Sequence, residues 1–336
     1  MVIMNEDIWY SRAPLLSHSQ AMIYVGLGGR GVGKTFDFKR WAVLNNKPFE
    51  FIWLRRYDNE LPKVKNSFLT DLKKVGVLGD REFRIEGNQL LEGDTVKVHF
   101  EALSLATKNK SVSYANVDVI VFDEFIEERA NRSYLPDEVE LLLSFIETVN
   151  RLRLDRPEVR VIMLANKATW VNPYFAYWHI KPFSDRRFKS FKDGLIVVEN
   201  YTNERFEAAK KQTKFGRLIS GTKVGDYMIE NKVWHDDNAF IMKRAPNTEL
   251  RVIVRLGDVR VGLFTGDGNI YCCHFRKSST ARCYAPREER QQGEYPLQSG
   301  EPPISWLMEY SSMSKLYFED NILKSTVYEI ILKYYK

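Results

Sequence analysis

The sequence predicts an α/β domain built on a mostly parallel sheet, a small linker subdomain, and a C-terminal α+β domain. Three observations carry that prediction. Residues 28–35 read Gly-Gly-Arg-Gly-Val-Gly-Lys-Thr, between an apolar run (AMIYVGL, 21–27) and a helix-like stretch (FDFKRWAVL, 36–44). Strand-like and helix-like segments then alternate to about residue 199, which is how a parallel sheet covered on both faces is assembled. After about residue 233 the pattern becomes strand–turn–strand, the mark of an antiparallel meander. The expected boundaries are 1–199, 200–230 and 231–336.

Each element has its own warrant. The run 21–27 is short and apolar, as a strand buried on both faces must be. The helix at 36–44 follows the glycines directly. After a turn at 45–48, FEFIWLRR (49–56) reads as a second core strand. Residues 61–75 have a helical pattern that stops at Gly76. Residues 82–101 read as hairpin material, with turns at Gly87-Asn88 and Gly93-Asp94. A strand at 117–122, a helix at 136–150 and a strand at 159–164 complete the alternation, and the domain is expected to close near 195–199. Residues 203–217 are polar and basic, and Gly216, Gly221 and Gly225 follow in close order, which reads as a linker. Strands at 250–256, 260–264 and 269–274 form the meander, with turns at Gly257-Asp258 and Gly266-Asp267-Gly268. Residues 285–303 read as a loop and 321–335 as a helix. No internal repeat and no long low-complexity tract is evident.

Residues 28–35 match G-x-x-x-x-G-K-[ST], the P-loop, and this names a nucleoside triphosphate with Mg²⁺ as the ligand class. Backbone N–H groups of Gly28, Gly29, Arg30, Gly31, Val32 and Gly33 can close around phosphates. Lys34 can reach the β- and γ-phosphates, and the Thr35 hydroxyl can ligate Mg²⁺. Val119-Ile120-Val121-Phe122-Asp123-Glu124 is a Walker B pattern. A buried strand projects Asp123 toward the metal, and Glu124 stands where a hydrolytic enzyme places its general base. The strand 159–164 runs into Ala165-Asn166, placing Asn166 as a sensor of the γ-phosphate. Asn166-Lys167-Ala168-Thr169 begins like the guanine selector N-K-x-D, but position 169 is Thr. The carboxylate that would accept the guanine donors is missing, so ATP is the expected nucleotide.

Composition bounds the rest. The 336 residues are 44% hydrophobic and 28% charged, ordinary for a chain that buries a core. A net charge of +6 suits a polyanionic partner and equally an inert basic surface. Candidate phosphate contacts are Lys108 and Lys110 before the Walker B strand, Arg129 and Arg132 after it, and the basic stretch 181–192. No single one stands apart from an ordinary exposed charge. Arg151 belongs to a basic cluster at the end of the helix 136–150. It could complete a neighbour's γ-phosphate site or simply complement the helix C-terminus. Arg30 lies inside the P-loop, near phosphate or a subunit boundary. The first ten residues carry Glu6 and Asp7 where a leader would be basic, and no apolar run has the length of a membrane span. An intracellular protein without a membrane partner is therefore expected. The three cysteines make no disulfide framework, and Cys272, Cys273, His274 and Cys283 lack metal-ligand spacing.

These motifs, with FIWLRRYDNELPKVKNSF, VDVIVFDEFIEERANRSYLPDEVELLLSFIETVNRLR, LANKATWVNPYF and KQTKFGRLISGT in that order, resemble the DNA-packaging ATPases of small, short-tailed, protein-primed double-stranded DNA phages. Those are P-loop enzymes of the additional-strand, catalytic-glutamate class related to FtsK and HerA. The resemblance covers most of residues 20–225 and weakens beyond about 230. It implies a homo-oligomeric ring, expected to be a pentamer, in the host cytoplasm and transiently at the portal vertex of a procapsid. ATP hydrolysis with Mg²⁺ would drive double-stranded DNA inward. The portal or connector and the procapsid are implied partners, and a structural packaging RNA is left open. The resemblance maps a trans-acting arginine onto Arg151 and an interface lysine onto Lys108. It maps an Arg-Arg-Tyr segment onto Arg55, Arg56 and Tyr57, with the two arginines as interface or DNA candidates. Similar proteins tend to carry a lysine where this chain has Asp58. The C-terminal domain is implied to be ribonuclease-H-like and vestigial as a nuclease, since Asp258 and Asp267 fall in turns. Two rival readings remain at this point: a cellular FtsK/HerA-type pump or helicase, and an ATP-dependent assembly switch without transport.

Overall fold

Six parallel strands make the middle of the first unit's sheet. The computed structural model describes residues 8–106, 114–127, 134–151, 156–230 and 240–334. Within these, 8–168 with 183–230 form one unit, and 169–182 with 240–334 form the other.

The first unit's strands are β1 (Ile23–Gly28), β2 (Glu50–Arg55), β3 (Phe83–Glu86), β4 (Gln89–Glu92), β5 (Thr95–Ala102), β6 (Val117–Asp123), β7 (Arg160–Asn166), β8 (Phe188–Phe191) and β9 (Ile196–Tyr201). Their order among the described residues is β3-β4-β5-β2-β6-β7-β1-β9-β8. The run from β5 to β9 is parallel throughout. The β3–β4 hairpin adds antiparallel to β5, and β8 adds antiparallel to β9. Strands β1 and β9 are buried along their whole length and β2, β6 and β7 nearly so, as expected where helices cover both faces. The outer strand β3 is mostly exposed and carries charge, with Arg84 paired to Glu86 and Asp94, which discourages further strand pairing. One strand, β7, stands between the P-loop strand β1 and the acidic strand β6, which is the additional-strand arrangement.

The helices are α1 (Ala13–Leu16), α2 (Lys34–Leu44), α3 (Leu61–Ser67), α4 (Thr70–Lys74), α5 (Glu138–Asn150), α6 (Pro173–Tyr177), α7 (Glu204–Gln212), α8 (Lys214–Ile219) and α9 (Lys223–Met228). The single helix expected over 61–75 is two, and Phe68 and Leu69 between them are both buried. Phe68 meets Trp53 and Phe100 edge-on at 5.0 and 5.1 Å, and this anchors the break.

The polar stretch expected as a linker is three short helices inside the first unit, and they contain a repeat that the sequence reading missed. Thr-Lys-Phe-Gly at 213–216 and Thr-Lys-Val-Gly at 222–225 build the same corner. Thr213 Oγ1 accepts from Gly216 N at 2.9 Å and donates to Lys210 O at 2.8 Å. Thr222 Oγ1 accepts from Gly225 N at 3.1 Å and donates to Ile219 O at 2.6 Å. Both corners need glycine for space. A Cβ on Gly216 would stand 2.0 Å from Lys210 O, and one on Gly225 2.2 Å from Ile219 O. The repeat is hard to see because only Thr, Lys and Gly recur in it.

In the second unit, β10 (Glu249–Leu256), β11 (Val259–Gly266) and β12 (Asn269–His274) form the expected meander. Strands β13 (Arg282–Ala285) and β14 (Tyr295–Pro296) add parallel beside β10, and β15 (Leu316–Phe318) adds parallel to β12. A meander with parallel strands beside its first strand is the ribonuclease-H-like plan, here with residues 275–281 joining β12 to β13 without a helix. Helices α10 (Ile304–Ser312) and α11 (Asn321–Tyr334) cover the face that holds Val252, Val254, Leu263 and Cys272. The segment 169–182, expected within the first domain, belongs here instead. Trp170, Tyr174, Phe175 and Trp178 are all buried, and α6 packs on α11.

Candidate functional site

The C-terminal edge of the parallel sheet collects the chemistry. Strand β1 delivers the glycine loop, and the loop runs into α2. Gly31 and Gly33 adopt φ of 84° and 98°, a backbone region open to glycine at little cost. Register places Gly28 beside Asn166 of β7, and Leu164 of β7 beside Asp123 of β6. Asn166 therefore lies between the glycine loop and the Asp-Glu pair.

Lys34 is 6% exposed, with its ammonium inside the loop. It donates to Gly28 O at 3.1 Å, Gly29 O at 3.0 Å and Asn166 Oδ1 at 3.4 Å. Thr35 Oγ1 donates to Asp123 Oδ1 at 3.1 Å. Burial pushes the Asp123 carboxyl above its ordinary pKa, with Arg55 pulling the other way. Glu124, one residue on, has φ of 59° and a side chain 63% exposed. Gly31, Val32, Gly33, Lys34, Thr35, Asp123, Glu124 and Asn166 thus line one cleft, which Lys39, Asp71 and Trp9 also border.

Several partners in this cleft were not legible beforehand. Arg55, the last residue of β2, reaches Glu60 (2.9 Å), Glu124 (2.5 Å) and Asp123 (3.7 Å). Burial acts to lower its pKa, but these carboxylates outweigh burial and hold it above the ordinary value. Lys39, one turn beyond Thr35 on α2, rests 5.0 Å from the Phe68 ring centroid, and burial lowers its pKa. Its i, i+4 spacing from Thr35 was the available signal.

Arg55 and Arg56 need correction as interface or DNA candidates. Arg56 is 2% exposed. Its Nε bonds Glu138 at 2.8 Å, its Nη2 bonds Phe125 O at 2.5 Å, and Nη1 pairs with Glu127. Phe122 and Tyr134 flank the guanidinium. An arginine so enclosed ties the segment after β6 to the start of α5. Arg55 likewise turns inward to the acidic pair. Asp58 is exposed, in a single 3-10 turn at Asp58–Glu60.

Arg151 caps α5, exposed, with φ of 39°. Arg30 is the exposed crest of the glycine loop. Lys108, Lys110, Arg129 and Arg132 lie outside the described residues. The basic stretch 181–192 is partly spent internally. Arg187 bonds the buried Glu199 at 2.6 Å, and Arg186 pairs with Asp185 at 2.5 Å. In the second unit, Asp258 and Asp267 are exposed turn residues. Cys272 and Cys273 are buried, and burial raises both thiol pKa values. Among the described residues no helix is long and apolar enough to cross a membrane.

Comparison with known proteins gives one consistent answer. The family model for the podovirus DNA encapsidation protein (Gp16) matches residues 4–333. The DNA packaging protein of Bacillus phage phi29 is 32% identical over 285 residues, 84% of this chain and 83% of that protein. That of Bacillus phage B103 is 33% identical over 278 residues, 81% of this chain and 83% of its own length. Among solved structures, a chain of the phi29 viral genome packaging motor assembly aligns with a TM-score of 0.71 and 27% identity, over 97% of this chain and 99% of that one. The N-terminal domain of the phi29 DNA packaging ATPase aligns with a TM-score of 0.53 and 31% identity, over 59% of this chain and 98% of that one.

Proposed function

Because the chain belongs to the podovirus DNA encapsidation (Gp16) family, we propose that it is the ATP-hydrolysing motor that packages a double-stranded phage genome into its procapsid. The observation that carries this reading is the convergence of Lys34, Thr35, Asp123, Glu124 and Asn166 on one cleft. A fold-level likeness alone would not assign that chemistry.

The residues fit a magnesium nucleotide. The loop has the glycines needed for a close backbone cradle, and the Thr35 hydroxyl and Asp123 carboxylate are hard oxygen donors 3.1 Å apart. Bound there, Mg²⁺ would offset the negative charge of the β- and γ-phosphates. Lys34 is placed to exchange its carbonyl partners for phosphate oxygens. Glu124, exposed at the strand end, accepts the proton of the attacking water. Asn166 orients that water against the terminal phosphate. The sequence lacks the carboxylate that would end a guanine selector N-K-x-D, position 169 being Thr, and this supports ATP as the substrate.

Arg151 completes the site of a neighbouring subunit in a homo-oligomeric ring. Each nucleotide site is then assembled by two chains, and the state of one site biases the next. Contacts with DNA fall on phosphate, because a packaging motor must accept any sequence. The ring works in the host cytoplasm at the portal vertex, with portal and procapsid as partners.

Glu124→Gln tests this reading. The variant should bind ATP normally and lose DNA-stimulated hydrolysis by about 10²–10⁴-fold. An unmodified protein with no DNA-stimulated hydrolysis at any salt concentration would refute the motor. Hydrolysis and DNA movement without a procapsid requirement would favour a cellular-type pump.

A further inference from the structure

The glycine loop is held from behind as well as from within. Two donors outside the loop grip its carbonyls. Tyr10 N donates to Val32 O at 2.9 Å. Lys210 Nζ, from α7, donates to Arg30 O at 2.8 Å and to Met228 O, the last residue of α9, at 2.7 Å.

A trans peptide is planar, with its C=O and N–H pointing to opposite sides. Fixing the Arg30 carbonyl from behind therefore aims the Gly31 N–H the other way, into the loop. Tyr10 does the same for the Gly33 N–H through Val32 O. Gly31 contributes the freedom to adopt φ of 84°, and its open side faces Phe206 and Lys210. A Cβ there would lie 3.9 Å from Phe206 Cζ and 4.0 Å from Lys210 Nζ.

Lys210 is also the pivot of the helical segment behind the loop. Its backbone oxygen receives the Thr213 hydroxyl, and Gly216 lies against that same oxygen. Its ammonium stands 5.4 Å from the Phe206 ring centroid, and Phe206 in turn meets Trp9 at 5.8 Å. Partial burial, with Arg30 second, lowers the Lys210 pKa.

We infer that Lys210 is a positioning residue that pre-orients the glycine loop for phosphate and couples phosphate binding to the order of helices α7–α9. The inference rests on reading the cleft as an ATP site. One ammonium bonds both the loop and the end of α9, so whatever firms one contact firms the other. Coupling of this kind is reciprocal. If the helices improve phosphate binding, phosphate must stabilise the helices by the same factor.

The test uses the full-length chain with a fluorescent, slowly hydrolysed ATP analogue. Amide hydrogen exchange of residues 204–228 is followed with and without the analogue. The unmodified protein should gain protection in 204–228 on binding. Lys210→Met should bind about tenfold more weakly, through loss of one charge-assisted contact. At saturating analogue it should show no gain in protection across 204–228, and Lys210→Arg should restore part of it. A purely structural role would lower protection equally with and without analogue. If Lys210→Met does not fold, Lys210→Gln, which cannot hold both carbonyls with a full charge, reads the same increment. An unchanged increment in a variant that still binds overturns the coupling alone. Failure of the unmodified chain to bind the analogue overturns the nucleotide reading and the coupling with it.

Discussion

The guanidinium of Arg55 bridges the two carboxylates that end the acidic strand, with Nη2 at 2.5 Å from Glu124 Oε2 and Nη1 at 3.7 Å from Asp123 Oδ2. Its Nε is taken by Glu60 at 2.9 Å. Three acids therefore share one planar cation, which an ammonium cannot reproduce. Arg55→Lys should lower ATP turnover about tenfold, because Glu124 loses its hold. Nucleotide affinity should stay within about twofold, since Lys34 and the loop are untouched. Turnover and equilibrium binding measured on the same preparation check this. Unchanged turnover would mean that Glu124 needs no such support.

Arg56 tests a different property, the integrity of the segment after β6. Its partner Glu138 is 1% exposed and also accepts from Leu135 N at 2.7 Å. Arg56→Met would leave that carboxylate buried without its cation, at a cost of about 3–5 kcal/mol. Adding Glu138→Gln should recover a substantial part, since the stranded charge is then gone. Urea unfolding of the two variants decides the matter, and equal stability of the single and double variants would refute the account.

The twin corners at Thr213 and Thr222 predict a sharp intolerance. Gly216→Ala and Gly225→Ala each push a Cβ onto a backbone oxygen, and each should cost about 1–3 kcal/mol. Neither glycine has a positive φ, so the cost is steric rather than conformational. Thermal unfolding and helical circular dichroism would register it. Alanine accepted at both sites without loss would mean that the corners open readily.

In the second unit, pH sets the worth of the Arg255–Glu294 pair. Hydrogen bonding from Arg255 is the largest influence on the Glu294 carboxyl, whose pKa falls to about 2. Its folded-state pKa lies below the unfolded value. The pair's stabilisation is thus fully present above the ordinary glutamate range and is lost as pH falls toward about 2. Glu294→Gln should be less stable than the unmodified chain at pH 7, by on the order of 1 kcal/mol. At pH 3 the difference should have narrowed. A gap independent of pH would point to lost packing instead.

Much of the architecture could be read from the chain because it is local. A glycine loop between strand and helix, an apolar run ending in Asp-Glu, and a strand ending in Asn166 each announce themselves within about ten residues. Their convergence follows from the strand order, which parallel pairing and short connections favour. What stayed hidden is pairing across long sequence separations. Nothing local distinguishes Glu60, Glu127 and Glu138, the acids that hold Arg55 and Arg56, from other surface acids. The two arginines consequently read as outward-facing. Nor does local sequence reveal that 169–182 leaves the first unit, because that depends on where its buried aromatics find α11. The corners at 213–216 and 222–225 escaped notice for another reason. Their shared signal is a threonine and a glycine three apart, a spacing too common to mark a repeat on its own.

Glu124 sits at φ of 59°, a left-handed backbone that costs a side-chain-bearing residue about 1–2 kcal/mol relative to glycine. The position of the proposed base is therefore one where folding and chemistry favour different residues. A library screened for expression or heat resistance alone would enrich glycine or asparagine at 124. Its winners would be sturdier proteins that bind their nucleotide and never turn it over.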